Sequence, residues 1–279
     1  MIQLKKHLLE QIQNQKLPLV NSKLSQSLGR RLYRMQLEGE NVWLKLHANG
    51  FNTESEISFL HELNQYQRLS TLVPEILLPF QIAHFSKWEM RTESLTNQAL
   101  LVVEAEGLFD IDPNQLTYSE ILDILNLSLD VVDHLHEIAY IHGDLKIEHF
   151  RKYKGRAVLI DFEQAHFILE SQMMKNSATP RYMAPELFHG RQKNIQTDIY
   201  ALGIVWLQWF TQEKIVKKTY LDWAKWHCQE LNVCLLDKFK CFEEILNWML
   251  AKNNVNRCVN IYQIKQILSQ NVQRKSRDI

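Results

Sequence analysis

Residues 141–163, IHGDLKIEHFRKYKGRAVLIDFE, gather two aspartates, a lysine and a histidine into one short stretch. Asp144 is followed by Lys146 and His149, and Asp161 closes the stretch with Phe162 and Glu163. Between the aspartates, 149–153 and 157–160 read as short strands joined by a Lys154-Gly155 turn. A hairpin of that length brings its ends together, so both carboxylates can meet in one place. Two carboxylates, a lysine and a metal-capable imidazole are what metal-assisted group transfer requires. A plain hairpin with polar flanks accounts for the same residues, and this stretch alone leaves both readings open.

Other elements must position these groups. From Leu24 to Leu46 the pattern is strand-like, with a turn at 38–41. Val42, Leu44 and Leu46 share one strand face, and Trp43 and Lys45 the other. Lys45 reads as either solvated or functional. A helix is predicted from about Thr53, where Thr53 and Glu56 have capping-box spacing and Glu56, Leu60 and Leu63 share a face. Residues 99–103 read as a buried strand, and the polar 104–107 that follow, ending in Gly107, as a linker. Beyond it the pattern turns helical. Thr117 and Glu120 form a second capping box opening 118–139, a buried helix covers 199–210, and helices recur at 221–232, 239–251 and 260–270. Residues 2–15 resemble a short amphipathic helix. The expected class is α+β, with a β-rich N-lobe (1–103), a hinge (104–107) and a helical C-lobe (108–279).

Composition narrows the partners. Lys plus Arg equals Asp plus Glu at 32 each, which gives no global charge for nucleic acid or an anionic membrane. Four cysteines, Cys228, Cys234, Cys241 and Cys258, show no CxxC spacing, so reduced thiols are expected rather than a disulfide framework or zinc site. Lys5, Lys6 and His7 precede no apolar core, so no signal peptide is expected. The longest apolar run, 199–210, is too short to span a bilayer. A cytoplasmic protein is the expectation.

In order, these pieces resemble the protein-kinase superfamily over nearly the whole chain. His142-Gly143-Asp144-Leu145-Lys146-Ile147-Glu148-His149 looks like a catalytic loop, Asp161-Phe162-Glu163 like a DFG motif, and Thr179–Glu186 like the end of an activation segment with its APE triplet. Asp198–Gly203 resembles the start of the large lobe's central helix, with Arg257 placed to pair Glu186. Lys45 falls at the lysine of a VAIK strand, and Glu56–Leu60 resembles the helix with its ion-pair glutamate.

The resemblance implies an ATP- and Mg²⁺-dependent phosphotransferase acting on protein Ser/Thr. Asp144 would take the acceptor's proton, Lys146 would neutralise the transferring group, and Thr179 would shape the acceptor site. Asp161 would hold Mg²⁺, with His149 and Glu163 beside it. Lys45 would contact the phosphates, held by Glu56, with Gly29 from the phosphate loop; backbone at 104–106 (Glu104, Glu106) would meet adenine, with Val103 behind it. Five departures bear on this. Only Gly29 remains of the Gly-rich loop, Trp43 replaces a small residue over the adenine, and Gly143 replaces an arginine that usually grips a phosphorylated loop. His149 replaces a metal-binding asparagine, and Glu163 replaces the DFG glycine, which suggests that Glu163 supplies the ligand His149 gives up. The string HxDxxIxHF is also similar to lipopolysaccharide-core sugar kinases, which keeps a glycan or small-molecule acceptor as an alternative. A pseudokinase acting as a binding module is the other.

Overall fold

A computed structural model describes residues 18–275, apart from 38, 85–88, 91–92, 174–177 and 214. The helix expected over 2–15 lies outside them. Two compact units form, Met1–Ala105 and Glu106–Ile279.

The first unit is built on an antiparallel sheet of β1 (Arg30–Leu37), β2 (Glu40–His47), β6 (Gln98–Val103) and β3 (Phe80–His84), in that order. Strand alternation decides which face is covered. Tyr33 pairs with Leu44 and Met35 with Val42, so the buried residues of both strands line one side. Val42 and Leu44 are fully buried, each worth about 1.5–3 kcal/mol of transfer free energy. Two minor strands, β4 (Glu89–Met90) and β5 (Glu93–Ser94), pair with each other.

Two local expectations need correction. The 24–46 stretch does not begin as strand. Lys23–Ser27 forms a short helix, α1, because the Ser22 side chain accepts from the Ser25 amide and caps it. The helix after β2, α2 (Thr53–Leu72), is capped by Asn52, whose Oδ1 accepts from Ser55 N at 2.8 Å, and not by Thr53. Its buried stripe is Ser55, Phe59, Glu62, Tyr66 and Leu69, with Leu63 alongside. The face carrying Glu56 is one position out of phase with that stripe, and Glu56 is only half-buried.

The second unit packs helices against a small sheet of β7 (Glu106–Gly107), β9 (Phe150–Tyr153) and β10 (Arg156–Leu159). The hairpin forms as its sequence predicts. Lys154 and Gly155 both adopt positive φ, 48° and 81°, as the tightest hairpin turn requires. Strands β8 (Tyr140–Ile141) and β11 (His166–Phe167) pair separately. Helix α3 (Tyr118–Glu137) opens on the expected capping box, Glu120 N donating to Thr117 Oγ1 and Thr117 N to Glu120 Oε2. A single turn, α4 (Pro185–Phe188), precedes α5 (Ile195–Thr211), which is buried on every side from Thr197 to Leu207. Gly203 lets α7 (Glu243–Met249) approach: a Cβ there would lie 2.9 Å from Leu250 Cδ2 and 3.1 Å from Met249 Cβ. Two tryptophans on α5 find partners at depth, Trp206 Nε1 on Ser128 Oγ at 3.0 Å and Trp209 Nε1 on Ile111 O at 2.8 Å. The helix expected at 221–232 is α6 (Tyr220–Lys225) continued by a π-turn, Trp226–Glu230, and α8 (Ile261–Lys275) ends the described chain.

Candidate active site

In the second unit the site is assembled on a buried anion. Asp198, near the start of α5, accepts from His142 N at 2.7 Å (Oδ2) and from Gly143 N at 2.9 Å (Oδ1). Burial alone would raise its pKa, but the hydrogen bond and charge of His136 and the His142 amide outweigh burial and hold it low. The turn carrying Asp144 is thereby anchored through backbone. Gly143 has φ +75°, where any side chain is strained.

Asp144 projects from this turn and meets two of its expected companions. Thr179 N donates to Oδ1 at 2.7 Å and Thr179 Oγ1 to Oδ2 at 3.3 Å, while Lys146 Nζ lies 3.1 Å from Oδ2. Burial depresses the Lys146 pKa, but Asp144 and Asp161 override it and keep the ammonium charged. The arrangement is a carboxylate with a cation on one oxygen and a threonine hinge on both. Such a group can accept a proton while remaining fixed in direction.

Asp161 sits in the left-handed region, φ +68°, which short polar side chains tolerate better than most. His149 Nε2 lies 3.2 Å from Asp161 Oδ2, and the imidazole is almost wholly buried. His142 packs at a tilt against both His149 and Phe162, and burial drives its pKa down to about 4, so it is neutral with Nε2 donating to Ile160 O. Asp161 and Glu163 bring carboxylate oxygens within 4.8 Å of each other. Two such oxygens suit a hard divalent cation such as Mg²⁺. The closing segment is fixed by Arg257, whose guanidinium forks onto Glu186 at 2.7 and 2.9 Å, the pair expected from the sequence.

In the first unit Lys45 Nζ lies 2.6 Å from Glu62 Oε2, and the Glu62 side chain is buried. This corrects the pairing of Lys45 with Glu56. Glu62 lies on the buried stripe of α2, whereas Glu56 lies off it near the start of the helix, close enough to His47 to act on its pKa. The signal was present: a glutamate at Phe59 plus three, on the stripe with Phe59, Tyr66 and Leu69, demands a cationic partner once buried. Gly29 has φ +90°, and a Cβ there would lie 2.6 Å from His47 Cε1 and 2.9 Å from Ala48 O, so packing against His47 and Ala48 by itself requires glycine at this position. Trp43 and Val102 are cross-strand partners, as are Val42 and Val103. Glu104 N is taken by Asn41 O at 2.8 Å, and the Glu104 carboxylate by Arg34 at 2.7 Å. Glu106 is a residue of β7, opposite Lys152.

Comparison with known proteins agrees with this geometry. The model for "Protein kinase domain" matches residues 40–273, beginning at β2 and leaving out the α1 segment. The chain is similar to "Probable serine/threonine-protein kinase 2" of Plasmodium falciparum (isolate K1 / Thailand), 23% identical over 247 residues, 84% of this chain and 47% of that protein. It is similar to calcium/calmodulin-dependent protein kinase cmkB of Emericella nidulans, 32% identical over 124 residues, 40% of this chain and 31% of that protein. It is also similar to serine/threonine-protein kinase pakC of Dictyostelium discoideum, 27% identical over 100 residues, 35% of this chain and 21% of that protein. The chain thus spans less than half the length of these relatives. Among the described residues no helix is long and apolar enough to cross a membrane. With the Asp144 turn, the Asp161 segment, the Glu186–Arg257 fork and a match over 40–273, the chain belongs to the protein kinase domain family.

Proposed function

We propose that this chain transfers the γ-phosphoryl group of ATP to serine or threonine hydroxyls of a protein. The observation that carries the reading is Asp144, held by both donors of Thr179 and by Lys146. Asp144 receives the acceptor hydroxyl's proton, and Thr179 fixes the direction of its carboxylate. Lys146 offsets charge on the group in transit. Lys45, held by Glu62, engages the nucleotide phosphates, and backbone at 104–106 engages adenine with Val103 behind it. Glu104 N is already taken, so the adenine bonds fall to the remaining backbone groups of that segment. A bound Mg²⁺ neutralises phosphate oxygens. Asp161 and Glu163 would hold it, and His149 would orient Asp161 through the 3.2 Å contact.

A second reading, a nucleotide-binding module without turnover, draws on α1: the stretch expected to supply the phosphate loop is helical, and Gly29 is packed against His47. Incubation with γ-labelled ATP, Mg²⁺, a generic protein acceptor and a glycan panel separates the possibilities. Acid-stable label on protein serine or threonine is the expected result. Label on glycan alone moves the acceptor class, and nucleotide-dependent thermal stabilisation without any transfer favours the binding module.

A further inference from the structure

Beneath the catalytic turn lies a cation that the phosphoryl-transfer chemistry does not use. Lys193, in the link between α4 and α5, is 3% exposed. Its Nζ donates to Gln164 Oε1 at 3.0 Å. Its stem lies against the α-carbon of Gly143: a Cβ there would come within 3.2 Å of Lys193 Cδ, 3.4 Å of Nζ and 2.7 Å of Gln164 O. Gly143 and Lys193 are therefore matched, since the missing side chain of one leaves the space that the other fills. The carboxylates of Asp144 and Asp198 both act on the ammonium, against burial that pushes its pKa down to about 8. An uncharged chain of the same length would fill this space at a lower desolvation cost. Among the groups the ammonium reaches are the turn carrying Asp144 and the first residue beyond Asp161-Phe162-Glu163.

We propose that Lys193 is a positioning residue for Asp144: it clamps the Gly143–Asp144 turn on a side that Asp198 does not hold, and ties that turn to Gln164. The clamp consists of the chain's own side chains, so it needs no phosphorylated residue to close it. Asp198 fixes the turn through two amides and Lys193 fixes it through packing and charge, which leaves Asp144 one direction in which to point. This role rests on the phosphotransferase reading.

The test compares Lys193→Met, similar in length but uncharged, with Lys193→Arg, which restores the charge. Phosphoryl transfer to a generic protein acceptor gives kcat and the ATP KM, thermal unfolding gives Tm, and hydrogen exchange reports the Thr179 and Gly143 amides. For Lys193→Met, kcat should fall about tenfold with the ATP KM within about twofold, as a small misdirection of Asp144 requires. Its Tm should be equal or higher, because a buried charge has been removed, and the Thr179 amide should exchange faster. Lys193→Arg should recover most of kcat. A kcat within about twofold of wild type in Lys193→Met overturns the proposal. So does a loss of kcat that follows a lower Tm and is not recovered by arginine. Should wild type transfer no phosphate, the phosphotransferase reading fails on its own. The amides then decide the clamp: faster exchange in Lys193→Met at unchanged Tm upholds it, and unchanged exchange rejects it.

Discussion

The two units secure their functional charges by different means. In the second, Asp144 rides on a turn whose two amides are gripped by buried Asp198, and its carboxylate is held again by Thr179 and Lys146. In the first, Lys45 is met by the carboxylate of Glu62, reaching it from a helix. Backbone anchoring fixes a group by many bonds, so loss of one neighbour is shared. A contact between two side-chain tips depends on both of them being in place. The second unit should therefore lose function mainly at the reacting group itself, and the first where the Lys45–Glu62 pair is broken.

The largest effect expected is at Asp144. Asp144→Asn keeps the size and an oxygen for the Thr179 amide but removes the base, and phosphoryl transfer should drop by about 10²–10⁴. Next is the fork that closes the segment. Arg257 is 3% exposed and forks onto buried Glu186. Arg257→Met should destabilise the fold by about 3–5 kcal/mol in urea unfolding, because a buried carboxylate is left uncompensated. A change below 1 kcal/mol would mean that the pair is not the anchor its geometry indicates.

The Lys45–Glu62 pair gives the sharpest contrast. Glu62→Gln should lower transfer by about 10- to 100-fold through displacement of Lys45. Glu56→Gln should stay within about twofold of wild type, as a substitution outside the buried stripe. Equal losses at both positions would erase the distinction between stripe and flank.

Acid should also act unevenly. His227 is fully buried with its neutral ring accepting from Tyr200 Oη at 2.8 Å and donating to Pro180 O at 3.0 Å. Burial drives its pKa down from 6.5 to about 4. The folded state binds this proton less readily than the unfolded chain, so stability is retained above pH 6.5 and lost as pH falls towards 4. By pH 5 the loss from this one group should be about 2 kcal/mol relative to pH 7.5. Urea unfolding of wild type and His227→Gln at the two pH values checks it; an identical pH dependence in both would assign the loss elsewhere.

The residues that proved legible in the sequence are those whose partners lie close in the chain or in a fixed order. The 149–160 hairpin has both positive-φ residues at its turn, Thr117 and Glu120 are three apart, and Asp144, Lys146 and Thr179 belong to ordered motifs. The errors arose where phase or packing decides. Glu56 and Glu62 both sit on one helix, and only the burial of Phe59, Tyr66 and Leu69 tells which carboxylate faces inward. Gly29 reads as a loop glycine, and only the folded chain shows that His47 fills the space its Cβ would take. Lys193 carries no sequence signal at all, because its neighbours Gly143 and Gln164 are brought to it only by the folded chain.

The central claim is that the Asp144 apparatus turns over although a helix stands where a phosphate loop was expected. Steady-state transfer of labelled γ-phosphate to a protein acceptor, over a wide range of ATP with Mg²⁺, tests it most directly. The predicted result is saturable labelling of serine or threonine, with kcat on the order of 1–100 s⁻¹ and an ATP KM near or above about 1 mM, the weak end of the usual range. Labelling that never rises above the Asp144→Asn background at any ATP concentration would contradict it.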